Sequence, residues 1–169
     1  AELIAGVLEV ELGLGALGLG LAGISTHLRI VSAIERVLLG PGMWQRMVGQ
    51  IWAELLRAGL HPELAARGWP DLLSRSQVTW SIDHVQVGPG YAVPTPASER
   101  SVALAQAHGL AFETTYTGKC TAALQAEVAA GRAGPVLLWN THAGTDLATL
   151  AVPGWESRLP PRLQRLLAG

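Results

Sequence analysis

Three groups of residues in this 169-residue chain have the types and spacing to do chemistry. The first is Gly13-Leu14-Gly15-Ala16-Leu17-Gly18, a G-x-G-x-x-G pattern. Placed between a strand and a helix, such a segment brings backbone close to an anion. The helix start adds unpaired N–H groups and the positive end of a dipole. Glu35, near the end of the second expected strand, stands about where a dinucleotide site keeps its ribose-binding acid. The same glycines equally suit a tight turn that packs a short helix on a sheet. The second group is the chain's pair of tyrosines, Tyr91 and Tyr116. A phenol can donate to a carboxylate or an amine, or accept a proton when its pKa is lowered. The third is Lys119 with Cys120, the single lysine and single cysteine. A cysteine beside a helix start can be reactive, but a small apolar filler is the better account of Cys120. His27, His61, His84 and His108 have no metal-ligand spacing and read as surface or packing residues.

These residues need elements to hold them. Hydrophobic residues make up 49% of the chain and charged residues 15%, the composition of a domain with a real core. The net charge of −1 leaves no basic field for nucleic acid. One cysteine allows no intrachain disulfide. The apolar stretch 12–24 is too short and glycine-rich to span a bilayer, and no basic segment precedes it, so a cytoplasmic protein is expected. Alternating strands and helices predict an α/β domain with a mostly parallel sheet. Strands are expected at 7–12, 28–34, 78–82 (near an edge), 110–113 and 136–140. Helices are expected at 16–25, 43–56, 97–108, 119–130 and from 160 onward. Pro96 suits the first position of the third helix and Gly109 its C-terminal cap.

Three segments then resemble one family. Asp83 to Pro94, with Gly88-Pro89-Gly90-Tyr91-Ala92-Val93-Pro94, resembles the G-P-x-Y-G-x-P loop of the 1-aminocyclopropane-1-carboxylate deaminase / D-cysteine desulfhydrase family. Tyr116-Thr117-Gly118-Lys119 resembles its Y-(E/T)-G-K segment, and Val136 to Leu147 its last strand and H-T-G-G turn. All three stand in family order and spacing across residues 5–150. The resemblance implies a three-layer α/β/α fold, most of the large domain of a fold-type-II pyridoxal-phosphate enzyme. Residues 1–150 would be that incomplete domain, lacking its N-terminal lysine segment and the small domain, and 151–169 a C-terminal tail.

The resemblance also implies roles. Gly13, Gly15, Ala16 and Leu17 would cradle the phosphate of pyridoxal 5'-phosphate, and Tyr91 and Tyr116 would be catalytic. Thr117 and Thr141 would lie on the cofactor, and a threonine at both places is typical of the desulfhydrase branch. Leu14 and Leu17 replace hydroxyl-bearing residues of the family's loop, and Asn140-Thr141-His142-Ala143 replaces its turn. Lys119 matches a lysine other than the one that forms the Schiff base, which belongs to an N-terminal motif this chain does not contain. The expectation is therefore a fragment, inactive alone, of an enzyme that eliminates sulfide from a small D-cysteine-like amino acid to give pyruvate and ammonia. Its partners would be the amino-acid substrate, a chain supplying the missing half and, when complete, further copies of itself. Nucleic acid and membrane are not expected partners. The alternatives are an NAD(P)-binding Rossmann-type oxidoreductase domain, carried by Gly13–Gly18 with Glu35, or a non-catalytic remnant.

Overall fold

The computed structural model describes residues 2–5, 9–59, 66–132, 134–140 and 152–167. In chain order the elements are β1 (Glu2–Ala5), α1 (Glu9–Leu21), β2 (Thr26–Val31), α2 (Pro41–Arg57), α3 (Trp69–Arg75), β3 (Val78–Asp83), α4 (Pro96–Ala107), α5 (Thr117–Ala129) and β4 (Val136–Trp139). A short 3-10 turn (Trp155–Arg158) and α6 (Pro161–Leu167) follow. The four strands form one parallel sheet in the order β3-β2-β1-β4. Helices cover both faces, giving the expected α/β class with its three layers.

The order of the strands follows from their connections. From β1 to β2 to β3 the chain steps one way, and α1, α2 and α3 pack together on one face. It then crosses back beyond β1 to β4, and α5 lies against β1, β2 and β4 on the other face. The direction reverses between β1 and β4, and ligands of open parallel sheets bind outside the strand ends at such a point.

The two faces are stabilised differently. Leu28 and Ile30 of β2 point into the larger core with Leu12, Ala16 and Leu17 of α1. Helix α2 adds Trp44, Met47, Val48, Ile51 and Trp52, a stripe at helical spacing. Pro41 opens that helix, where its missing N–H costs nothing. The alternate residues of β2 face α5. Among the described residues Val31, Cys120 and Ala123 form the buried apolar cluster there, flanked by Leu124, Val136 and Leu138. The same face also carries a charged network. Arg29 bonds Asp83 of β3 at 2.6 Å and Glu127 of α5 at 2.6 Å, and Glu127 also meets Arg132 at 2.9 Å. Burial alone would lower the Arg29 pKa, but its two carboxylate partners outweigh that and raise it. At the β3 edge His27 sits between the hydroxyls of Thr79 (2.9 Å) and Ser81 (2.8 Å). Burial and the neighbouring Arg29 charge lower its pKa.

The structure corrects the first third of the chain. From Glu9 on, the expected strand at 7–12 and glycine turn at 13–17 are replaced by one helix, with a strand earlier, at Glu2–Ala5. The reason is packing. A Cβ on Gly13 would lie 2.4 Å from Ile51 of α2, and one on Gly15 2.4 Å from the Trp139 ring of β4. These glycines let α1 approach its neighbours closely. The strand expected at 110–113 is also absent, and that segment instead leads into the start of α5. Elsewhere the boundaries shift by a few residues. Pro96 does open α4, capped by Thr95 and Ser98, and Gly109 follows it at φ +72°. Strand β3 does lie at the sheet edge. Among the described residues no helix is long and apolar enough to cross a membrane, and no cluster of three metal-ligating side chains occurs.

Cys120 is 1% exposed, and burial pushes its thiol pKa far up. It should therefore react with a thiol reagent such as dithiobisnitrobenzoate only after unfolding. Rapid stoichiometric reaction of the native chain would show that the α5 layer opens readily.

Candidate active site

The carboxyl ends of the strands and the starts of the following helices form one end of the sheet. The loop after β3 runs from His84 to Thr95 and carries Tyr91. Its path depends on glycine: Gly88 has φ +70° and Gly90 φ +157°. A Cβ on Gly88 would meet Thr95 at 2.5 Å, and one on Gly90 would lie 3.4 Å from the Glu35 carboxylate. Tyr116 stands at the start of α5, the end of that helix that meets the same loop. The two tyrosines, 25 positions apart in sequence, meet with their hydroxyl oxygens 2.7 Å apart and ring centroids 6.2 Å apart, edge to face. Such a pair holds two O–H hydrogens and uses one between its members. A phenol O–H can also donate to a carboxylate.

Beneath the pair lies Lys119. It is 1% exposed, and its Nζ donates to the carbonyl of Val87 at 2.7 Å and reaches that of Gly90 at 3.5 Å. Burial lowers its pKa, with Glu113 and Glu35 pulling the other way.

The start of α5 is already occupied by an anion from the chain itself. The Glu113 carboxylate accepts the backbone N–H groups of Thr115 (2.5 Å), Tyr116 (2.7 Å) and Thr117 (2.7 Å). The Thr117 hydroxyl also lies against the Glu113 carbonyl and carboxylate, at 3.1 and 3.2 Å. Burial alone would raise the Glu113 pKa, but these donors outweigh it and hold it below the usual carboxylate range. The sign of its linkage follows. A depressed folded pKa contributes stability that is full above the unfolded value and is lost as pH falls through the folded one. Glu113→Gln should therefore destabilise the chain by about 1–2 kcal/mol at neutral pH, as loss of a helix cap does. The deficit should shrink as pH falls below the ordinary glutamate range. Urea unfolding of both chains at neutral and acidic pH checks this, and a deficit independent of pH would refute it.

The residues expected to form the site divide clearly. Tyr91 and Tyr116 are brought together. Gly13, Gly15, Ala16 and Leu17 are not in a loop. They lie within α1, with Gly13, Ala16 and Leu17 buried in the core out of reach of a phosphate and Gly15 half-buried beside an apolar groove. Support for a phosphate cradle and for a dinucleotide fingerprint is removed together. Thr117 is buried, and its N–H and hydroxyl are engaged by Glu113, which leaves it no donor for a cofactor. Thr141 lies outside the described residues. The described residues assigned to pyridoxal phosphate therefore do not fit it.

Sequence reasoning placed Lys119 in a motif but missed its contacts with the loop, and it missed Glu113 altogether. A lone lysine in a chain of eleven arginines was a usable signal, since lysine is rarely buried without a partner. An apolar groove of about 460 Å³ lies between α1 and β4, lined by Gly15, Gly18, Leu19, Leu137 and Trp139 among others. No titratable side chain lines it.

No protein-family model matches the chain, and no curated protein matches it. Among solved structures, a crystal structure described as an ACC deaminase homologue is similar, with a TM-score of 0.55 at 15% sequence identity. The likeness covers 81% of this chain and 37% of that one. At that identity it is a likeness of fold.

Proposed function

We propose that this chain is a part of a pyridoxal-phosphate-dependent deaminase or desulfhydrase, inactive alone. The observation that carries the reading is the hydroxyl-to-hydroxyl contact of Tyr91 and Tyr116 at the carboxyl end of a parallel sheet. Two phenols held together there suit a small amino acid, one donating to its carboxylate while the pair positions the amine. The substrate proposed is a small D-cysteine-like amino acid, eliminated to pyruvate, ammonia and sulfide. The fold likeness to the ACC deaminase homologue supports the reading. The missing phosphate cradle and Schiff-base lysine would come from the rest of a complete enzyme, a chain supplying the N-terminal half, in a cytoplasmic homo-oligomer. Residues 1–150 would belong to the cofactor-binding domain and 151–169 to a tail.

The test uses the purified chain with added pyridoxal phosphate, with and without an N-terminal half taken from a complete enzyme of this fold. The chain alone should give neither a stoichiometric aldimine nor pyruvate from D-cysteine, because its single lysine is buried against two carbonyls. The two halves together should release pyruvate, and Tyr91→Phe or Tyr116→Phe should lower that release at least about tenfold, as loss of a positioned proton-transfer group does. Pyruvate from the chain alone that disappears in Lys119→Ala would overturn the reading. Saturable NADH binding lost in Glu35→Ala would replace it with an oxidoreductase. No activity from any combination would make the chain a non-catalytic remnant.

A further inference from the structure

We propose that Lys119 is a positioning residue that sets the contact between the Tyr91 and Tyr116 phenols by clamping the loop of one onto the helix of the other. The proposal deepens the phenol reading above and rests on it for its role in catalysis, but its structural claim stands by itself. Lys119 lies three positions after Tyr116, on the first turn of α5. Its Nζ reaches back to the carbonyls of Val87 and Gly90, the residue immediately before Tyr91. The same two segments are thus joined twice, by a buried charge-assisted link and by the phenol contact above it. Hydrogen bonds to a charged group are the stronger kind.

The two links differ in how much they can hold. Tyr91 is 52% exposed, so water competes for its hydroxyl, and a phenol contact there cannot by itself fix a loop containing two glycines at positive φ. Lys119 is sealed from water, and breaking its link would leave its own buried ammonium without the Val87 carbonyl. That is a desolvation cost that the exposed phenol contact does not carry, while the Gly90 carbonyl keeps the Val93 N–H. Burial lowers the pKa of the ammonium, and the Glu113 and Glu35 charges offset part of that. Lys119 is in this sense the fixed point, and the phenol pair reads its position.

The test is a double-mutant cycle on urea unfolding of the whole chain, followed by its tryptophan fluorescence. In the parent chain, Tyr91→Phe and Tyr116→Phe should be coupled by about three- to fivefold in the unfolding equilibrium, the low part of the range for a neutral hydrogen bond. In a Lys119→Met background, which keeps the length of the stem, the coupling should fall to unity. A structural role alone would lower stability in every background and leave the coupling intact, and that result would overturn the proposal.

If Lys119→Met does not fold, the parent chain still decides. With one lysine in the sequence, ¹⁵N-lysine labelling gives one side-chain signal. Its hydrogens should exchange with water at least about tenfold more slowly than those of an exposed lysine, by the protection that burial and hydrogen bonding confer. Exchange should quicken in Tyr91→Phe, since the two links support one loop. Exchange as fast as in a free lysine would overturn the proposal. Neither measurement uses turnover, so the clamp can stand where the pyridoxal-phosphate reading fails, and the reverse.

Discussion

Gly15→Leu is expected to destabilise the chain by about 2 kcal/mol, while Gly18→Ala, three residues along the same helix, should stabilise it by about 1 kcal/mol. The opposite signs come from what each glycine faces. A Cβ at Gly15 would lie 2.4 and 2.9 Å from two atoms of the Trp139 ring, and a ring cannot bend away as the end of a flexible side chain can. The indole would have to leave its place against the core of α1 and α2. Overpacking of this kind costs about 1–3 kcal/mol, and the better helix propensity of leucine returns part of it. At Gly18 nothing lies within 4 Å of the new methyl. Only the propensity gain remains, since glycine inside a helix gives up about 1 kcal/mol to alanine. Urea unfolding of the two variants is the measurement. If Gly18→Ala destabilised the chain, residues 13–18 would form a turn after all, and the phosphate-loop reading would return.

That contrast marks where the sequence was and was not legible. Helix α2 could be read because its tryptophans, methionine, valine and isoleucine recur at a single period. The loop from Gly88 to Pro94 and the start of α5 could be read because their glycines, prolines and tyrosines fall in matched motifs. The parallel class followed from the alternation of elements. Helix α1 could not be read, because two physical demands have the same solution. A loop that wraps a phosphate and a helix that admits a neighbour's ring both call for residues without a Cβ. Local sequence contains the glycines but not Ile51 and Trp139, which lie 36 or more positions further along the chain. For the same reason Lys119 was visible as a motif position but not as a clamp, since its acceptors are carbonyls 29 and 32 positions away. Thr117 was assigned to the cofactor because nothing in the sequence says that Glu113, four residues earlier, folds back to take its donors.

Arg29→Met should cost about 2–3 kcal/mol and loosen the helix that carries Tyr116. Arg29 is the one residue of β2 that contacts both its neighbouring strand and α5 by ion pairs, through Asp83 and Glu127. Its side chain is 19% exposed and that of Asp83 9%, so these are neither open surface pairs nor fully sealed ones. Removing one member of a buried pair costs about 3–5 kcal/mol because the remaining charge stays desolvated, whereas exposed pairs are worth about 0–1 kcal/mol. Partial exposure places this one between. Glu127 keeps Arg132, and Asp83 keeps the Val85 N–H on its other oxygen, so neither carboxylate is wholly orphaned. The effect should concentrate on α5, since among the described residues the buried apolar cluster on that face is limited to Val31, Cys120 and Ala123. Amide exchange along 117–129 should quicken more than along α2, whose five buried side chains do not depend on charge. Arg29→Lys should recover only part of the loss, because a single ammonium cannot span two carboxylates as the guanidinium fork does. A loss below about 0.5 kcal/mol in Arg29→Met would place the network among surface pairs. The apolar cluster around Cys120 would then have to hold the α5 layer, and with it the geometry of the tyrosine pair.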